Sequence, residues 1–245
     1  MLTAAGCIKV QSEVKSAKTK KASPGAVARK KVFLVDDHPI MRQGLKQLID
    51  NEPDLSVCGE AADSHEAITG IQALTPDLVL LDISLPGRSG LELLKDLHAL
   101  RPGILVLVVS MHDESLYVER VLKAGGRGYI MKQEGGEKFL EAIRHVLKGQ
   151  IYVSQKMSAK LLEIFSGRRE EAASSPVEFL TDREFEVFQL IGAGRSTREI
   201  ANELKLSVKT VEVHRINIKE KLKLNTSNEL IWYAVRWGES QSPPA

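Results

Sequence analysis

The chain has 245 residues, 43% of them hydrophobic and 27% charged, a balance that fits about two soluble globular domains. The formal net charge of +2 conceals a basic start (eight Lys and Arg against one Glu over residues 1–31), an acidic middle (twelve basic against eighteen acidic over 32–150) and a near-neutral end (ten against nine over 179–245). Cys7 and Cys58 are too few for a disulfide framework, and without a run of ~18 apolar residues or the apolar core of a signal peptide a cytoplasmic protein with no membrane contact is expected.

Residues 1–30 are rich in Lys, Ala and Ser and show no sustained period. They read as a disordered basic tail, either solvated or attracting DNA without specificity. From Val32 the pattern alternates. Val32–Val35 is a strand ending in Asp36-Asp37, followed by a helix with Ile40, Leu45, Leu48 and Ile49 inward. Leu55–Ala61 is a more polar strand, expected at the sheet edge, and Ser64–Leu74 a helix with Ala67, Ile68 and Ile71 inward. Asp77–Leu81 is an apolar strand that closes on Asp82 and a Pro86-Gly87 turn, the signature of a central parallel strand. The third helix is Leu91–Leu100. Ile104–Val109 is a strand ending in Ser110, with a helix over Glu114–Ala124. Gly128–Met131 is a strand ending in Lys132, with a helix over Glu137–Leu147. These five units, in residues 31–150, predict an α/β domain on a five-stranded, doubly wound parallel sheet.

Residues 151–178 read as a linker, with a short helix within Gln155–Phe165 and a small, polar stretch over Ser166–Pro176. Residues 179–240 read as a small all-α, four-helix domain. Its helices start after Thr181, Ser196, Ser207 and Thr226, and Glu184, Glu199 and Glu229 complete three capping boxes. Lys205-Leu206 alone separate the second helix from the cap of the third, which is helix-turn-helix spacing.

Four strands of the sheet end in groups that carry chemistry: Asp36 and Asp37, Asp82, Ser110 and Lys132. Taken singly, each Asp or Ser is an ordinary turn former or helix cap, and Lys132 a surface charge. Together they face one crevice at the carboxyl edge of the sheet. Three carboxylates held close repel one another, so they need a cation and a lysine. Few carboxylates with water completing the shell suit Mg²⁺. Mg²⁺ and Lys132 can neutralise an incoming phosphoryl group, Asp82 can attack it in line, and Ser110 can donate to it.

The segment Val32–Leu147 resembles the receiver domain of two-component response regulators. The residues that carry the resemblance are Val35-Asp36-Asp37-His38-Pro39, Leu81-Asp82 through Gly90, Ser110-Met111-His112 and Tyr129-Ile130-Met131-Lys132. It implies a flavodoxin-like fold and a phosphoryl group passed to Asp82 from a histidine kinase. It implies Asp37 as a direct metal ligand, Asp36 mainly through water, and the Ser84 backbone carbonyl as a further ligand. It also implies Ser110 and Tyr129 as a switch pair. Gln133 departs from the Pro that follows the lysine in many receivers.

Residues 179–238 resemble the LuxR-type helix-turn-helix of the NarL/FixJ class, on Leu180-Thr181-Asp182-Arg183-Glu184, Ile200-Ala201 and Leu206-Ser207-Val208-Lys209-Thr210-Val211-Glu212-Val213-His214. Phe185 and Phe188 stand where many members carry Arg and Leu. On the third helix Val208, Val211, Ile218 and Leu222 are expected inward. Lys209, Thr210, Glu212, Val213, His214, Arg215 and Lys219 are expected to meet duplex promoter DNA: the cations meet phosphates, and Glu212 and Val213 read a cytosine amino group and a thymine methyl. The last helix, with Trp232, Tyr233 and Trp237, is expected either to pair two such domains or to pack on the first helix of its own.

The whole reads as a phosphorylation-controlled transcription factor that forms a homodimer when phosphorylated, with RNA polymerase as a further contact. Coupling is expected through the face of the fourth helix that carries Glu114, Tyr117 and Arg120, with the unphosphorylated receiver covering part of the recognition helix. Two rivals are weaker. An aspartyl-phosphate phosphatase would want an acid where Ser84 stands, and an RNA-binding antiterminator would not need the tight turn before Ser207.

Overall fold

In the computed structural model, which describes residues 28–159 and 176–241, alternating apolar strands and helices form a sheet wrapped on both faces. The strands are β1 (Lys30–Val35), β2 (Leu55–Ala61), β3 (Leu78–Leu81), β4 (Leu105–Ser110) and β5 (Gly128–Met131). All pairings are parallel, in the order β2-β1-β3-β4-β5, so the polar β2 lies at an edge. The helices between them are α1 (Pro39–Asp50), α2 (Ser64–Leu74), α3 (Gly90–Leu100), α4 (Glu114–Lys123) and α5 (Gly136–Leu147).

Successive strand side chains point to opposite faces, so each central strand feeds two cores. Val32, Leu34, Leu78, Leu80, Leu107 and Val109 pack with Leu45 and Ile49 of α1 and with Phe139 and Ile143 of α5. Phe33, Val35, Val79, Leu81, Val106 and Val108 pack under α2, α3 and α4. This double burial explains why the central strands are apolar throughout. Ile40 departs from the expected pattern. It occupies the first turn of α1 and is 87% exposed.

After α5 the chain turns back beside β5. The Tyr152 carbonyl accepts from Tyr129 N–H at 2.9 Å, and Tyr152 N–H donates to Arg127 O at 3.0 Å. Residues 155–159 are helical and bury Met157. Of the expected tail over 1–30, residues 1–27 lie outside the described residues and Lys30 already opens β1; the rest of the expected linker helix and polar stretch, 160–175, also lies outside them.

A 3₁₀ turn, Pro176–Phe179, leads into α6 (Asp182–Gly192), α7 (Thr197–Glu203), α8 (Val208–Leu222) and α9 (Ser227–Gln241). The caps at Thr181 and Ser196 close as full capping boxes, and Ser207 accepts from the Thr210 amide. Val187, Phe188 and Ile191 of α6, Ile200 and Ala201 of α7, Val211, Ile218 and Leu222 of α8, and Leu230 and Ala234 of α9 form the core. Val208 is not among them; it opens the first turn of α8 and is 46% exposed. The last helix packs on α6 of its own domain. Gly192 makes that approach close, since a Cβ there would lie 2.8 Å from the Ala234 carbonyl. Trp232 stays 70% exposed.

Candidate functional site

The parallel registers bring the carboxyl ends of β1, β3, β4 and β5 into line: Val35 opposes Leu81, Leu81 opposes Val108, and Ser110 opposes Met131. The next residue of each of these strands, or the last residue of β4, is therefore delivered to one edge. Asp36, Asp82 and Ser110 are buried there. Lys132 Nζ lies 2.6 Å from Asp36 Oδ2 and 2.7 Å from Asp82 Oδ2. Asp82 Oδ1 accepts from the Ser84 amide at 3.0 Å, and Asp36 Oδ1 from the His38 amide at 2.8 Å. Asp36, Asp37, His38 and Asp82 offer ligand atoms all within 4.8 Å of one another.

Two glycines shape the loop after β3. Gly87 adopts φ +74°, a conformation that costs glycine little. Gly90 donates to Ile83 O at 2.8 Å and lies so close to β3 that a Cβ would meet the Asp82 carbonyl at 2.1 Å.

Burial pushes the Asp82 carboxyl above its ordinary value. Lys132 opposes that shift and the neighbouring Asp36 adds to it. Burial alone would lower the Lys132 ammonium, but Asp82 and Asp36 outweigh it and hold the lysine charged. The Ser110 hydroxyl accepts from the His112 amide at 3.1 Å, and Tyr129 donates to the His112 carbonyl at 2.8 Å. Tyr129 is already inside, buried with its hydroxyl pushed well above the ordinary phenol value by desolvation. The His112 ring, pushed down by burial, meets Ser84 Oγ at 3.0 Å and packs on Tyr117 at 5.0 Å between centroids. No peptide bond among the described residues is cis, so the Lys132–Gln133 bond is trans.

The helical domain is docked on this same edge. Tyr117 Oη donates to Gln189 Oε1 at 2.6 Å. Arg120 stacks over the Phe185 ring at 4.1 Å and donates to the carbonyls of Val177 and Leu180, both at 3.0 Å. Asp182 accepts from Lys95 at 2.6 Å and from Arg120 at 3.2 Å. Ser89 Oγ donates to Glu186 at 2.6 Å, Arg183 donates to Gly87 O at 2.9 Å, and Lys205 pairs with Asp37. Tyr117 and Arg120 were legible as a docking face. Glu114 was misassigned to it, since it instead accepts from the Ser154 amide at 2.8 Å. Ser89, Lys95, Asp182, Glu186, Gln189 and Lys205 were missed, because no local pattern marks one half of a contact whose other half lies 62 to 168 residues away. Phe185 offered one signal, a ring where many relatives carry Arg.

On α8, Lys209, Glu212 and Val213 are exposed, and Thr210, Arg215 and Lys219 are half-buried. His214 differs from them: its Nδ1 is buried without a hydrogen bond, and burial lowers its pKa. Glu92 of receiver helix α3 lies close enough to act on the charge of His214, while Lys209, Glu212 and Val213 stay exposed. The receiver grips α6 and the turn that leads into α8.

The family models for the response regulator receiver domain and for bacterial regulatory proteins of the luxR family match residues 32–144 and 178–234. The chain is 34% identical to the oxygen regulatory protein NreC of Staphylococcus carnosus (strain TM300) over 210 residues, 84% of this chain and 97% of that protein. It is 37% identical over 210 residues to NreC of Staphylococcus aureus, with the same coverage. Among solved structures it is similar to a LuxR-family two-component response regulator from Aurantimonas sp. SI85-9A1 (TM-score 0.53, 32% identity, 57% of this chain and 99% of that one). It is also similar to RcsB from Salmonella enterica serovar Typhimurium bound to promoter rprA in the presence of phosphomimetic BeF3⁻ (TM-score 0.56, 25% identity, 84% and 98%). This chain belongs to the response regulators that join a receiver domain to a LuxR-type helix-turn-helix, and it is a DNA-binding regulator of transcription.

Proposed function

We propose that Asp82 accepts a phosphoryl group from a sensor histidine kinase, and that this event frees the helix-turn-helix domain to bind promoter DNA. The observation that carries the reading is the convergence of Asp36, Asp37, Asp82 and Lys132 on the sheet edge where the second domain is docked. In this reading the receiver spans residues 31–150, residues 151–178 link it to the second domain, and the DNA-binding domain spans 179–240.

The carboxylate edge fits a hard divalent cation. Asp36 Oδ2 and Asp37 Oδ1 are buried, with Lys132 Nζ at 2.6 Å from the first and His38 Nδ1 at 2.7 Å from the second, and each oxygen keeps a lone pair for a cation. Asp36, Asp37, Asp82 and the Ser84 carbonyl would hold Mg²⁺, which when bound supplies positive charge to the oxygens of the transferring group. Asp82 forms the new P–O bond as the P–N bond to the donor imidazole breaks and the imidazole leaves with the electron pair. Lys132 keeps its charge beside the acceptor oxygen. The Ser110 hydroxyl, at the end of β4, can exchange its bond from the His112 amide for one to a phosphoryl oxygen. Tyr129 hangs from the His112 carbonyl, and α4 starts at the next turn, so that exchange is carried to Tyr117 and Arg120. A bias of about 3–5 kcal/mol toward the undocked state turns a mostly closed population mostly open.

Freed, α8 would enter the major groove of duplex DNA with Lys209, Thr210, Glu212, Val213, Arg215 and Lys219 toward it. His214 would face it only after turning outward. A homodimer on DNA is the assembly inferred, with the exposed Trp232 face of α9 as one contact. RcsB was solved as two dimers bound to DNA, which supports that reading. Contact with RNA polymerase and a cytoplasmic location belong to the same reading. Among the described residues no helix is long and apolar enough to cross a membrane.

Acetyl phosphate with Mg²⁺ should convert the wild-type protein to an acid-stable, base-labile phosphoprotein on Phos-tag gels. Asp82→Asn should give no shifted band. A band of equal strength in both would remove Asp82 from this role.

A further inference from the structure

The three carboxylates at the sheet edge are not neutralised alike. Lys132 serves Asp36 and Asp82. Asp37 turns one oxygen to His38 Nδ1 at 2.7 Å, and the other meets Lys205, 168 residues away in the chain. Lys205 is the turn residue between α7 and α8, held in left-handed backbone at φ +51°, where glycine or asparagine is the usual occupant. Its stem is half exposed, while the Asp37 side chain is 90% buried. The ammonium thus reaches from the helix-turn-helix into a cation position on the receiver.

We propose that Lys205 and the divalent ion compete for Asp37, so that docking of the helix-turn-helix weakens metal binding and metal binding loosens the dock. This rests on reading Asp37 as a metal ligand. The charge balance favours exclusion. Asp36, Asp37 and Asp82 carry three negative charges, and Mg²⁺ with Lys132 supplies three positive ones. Lys205 would then add an excess positive charge to a partly buried site, where like charges repel more strongly than in water. Without the ion, Lys205 is the charge that balances Asp37. The contact also seats the domain on the acceptor itself. Arg183 on the Gly87 carbonyl and Ser89 on Glu186 hold the same domain against the loop that follows Asp82.

Coupling between two binding events is reciprocal, so it can be read from either side. Mg²⁺ affinity of the full-length chain is measured by calorimetry, and the dock by the radius of gyration from small-angle scattering with and without Mg²⁺. Lys205→Gly suits the left-handed backbone and removes the charge, and it should bind Mg²⁺ about five- to tenfold more tightly, in the lower range of such couplings. Arg120→Ala keeps Lys205 but breaks the dock on α4, and it should tighten Mg²⁺ by a similar factor. Wild type should expand on saturation with Mg²⁺. Asp37→Ala should lose most Mg²⁺ affinity in every background. If Asp37→Ala binds Mg²⁺ like wild type, the metal-site reading fails and the competition with it. If Asp37→Ala loses binding but Lys205→Gly matches wild type, the site stands and the competition is wrong. If Lys205→Gly tightens binding and a folded Arg120→Ala does not, the effect is local charge and the coupling to docking is wrong.

Discussion

Gly90 and Glu184 show how much one residue holds. A methyl group at Gly90 would meet the Asp82 carbonyl at 2.1 Å and the Ile83 Cα at 2.7 Å, both backbone atoms that cannot rotate away. Gly90→Ala should therefore cost about 2–3 kcal/mol or more, visible as a lowered Tm, and should impair labelling of Asp82 because the loop beside it must shift. Burial pulls the Glu184 carboxyl upward, but Lys221 at 2.6 Å and the Thr181 amide outweigh it and leave the carboxyl below its ordinary value. A depressed carboxylate contributes stability above its unfolded pKa near 4.5, and loses it as pH falls through the folded value. Glu184→Gln should lower Tm at pH 7 and flatten the fall in Tm between pH 5 and 3. An unchanged slope would assign the acid sensitivity elsewhere.

At the scale of elements, α8 and α4 divide the work between reading and holding. On α8 the cations and the base-reading candidates differ in what their loss should do. Lys209→Ala should weaken binding to all duplexes and reduce the salt dependence, since fewer counterions are released. Glu212→Ala should instead relax preference at one base position by about 1–3 kcal/mol of discrimination. Competition binding over a set of single-base variants at two salt concentrations separates the two; a uniform loss in Glu212→Ala would make it structural. Helix α4 holds through a hydroxyl, a guanidinium and a ring stack, while its inner side, Val118 and Val121, belongs to the receiver core. Tyr117 is shared, with its ring against His112 and Phe185 and its hydroxyl on Gln189.

Across the whole molecule the apolar core is continuous from the receiver through Tyr117 and Phe185 into the helical domain. Opening must therefore expose some apolar surface and break several polar contacts. Tyr117→Phe leaves Gln189 Oε1 without its donor, at about 1–3 kcal/mol, and Arg120→Ala removes a ring stack and two carbonyl contacts. The double variant in the full-length chain should bind target DNA without a phosphodonor nearly as well as phosphorylated wild type, as judged by gel shift. Binding no better than unphosphorylated wild type would mean that docking does not limit DNA access, leaving dimer formation to carry the effect.

Much of this molecule was legible one segment at a time. The strand and helix order, the edge position of β2, all four helix starts after Thr181 and the grouping of Asp36, Asp37, Asp82, Ser110 and Lys132 follow from hydrophobic period, capping chemistry and the rule that parallel strands present their carboxyl ends together. These are local properties, or topological ones that a right-handed βα repeat leaves little freedom to change. Ile40 and Val208 were misread because period marks a helix face but not how much of that face is covered. The inward Tyr129, the docking of α6 on α4 and the Lys205–Asp37 pair were decided by tertiary structure alone. A long-range charge pair leaves no trace in the spacing of either partner, since each residue reads as an ordinary exposed charge until folding brings the other to it.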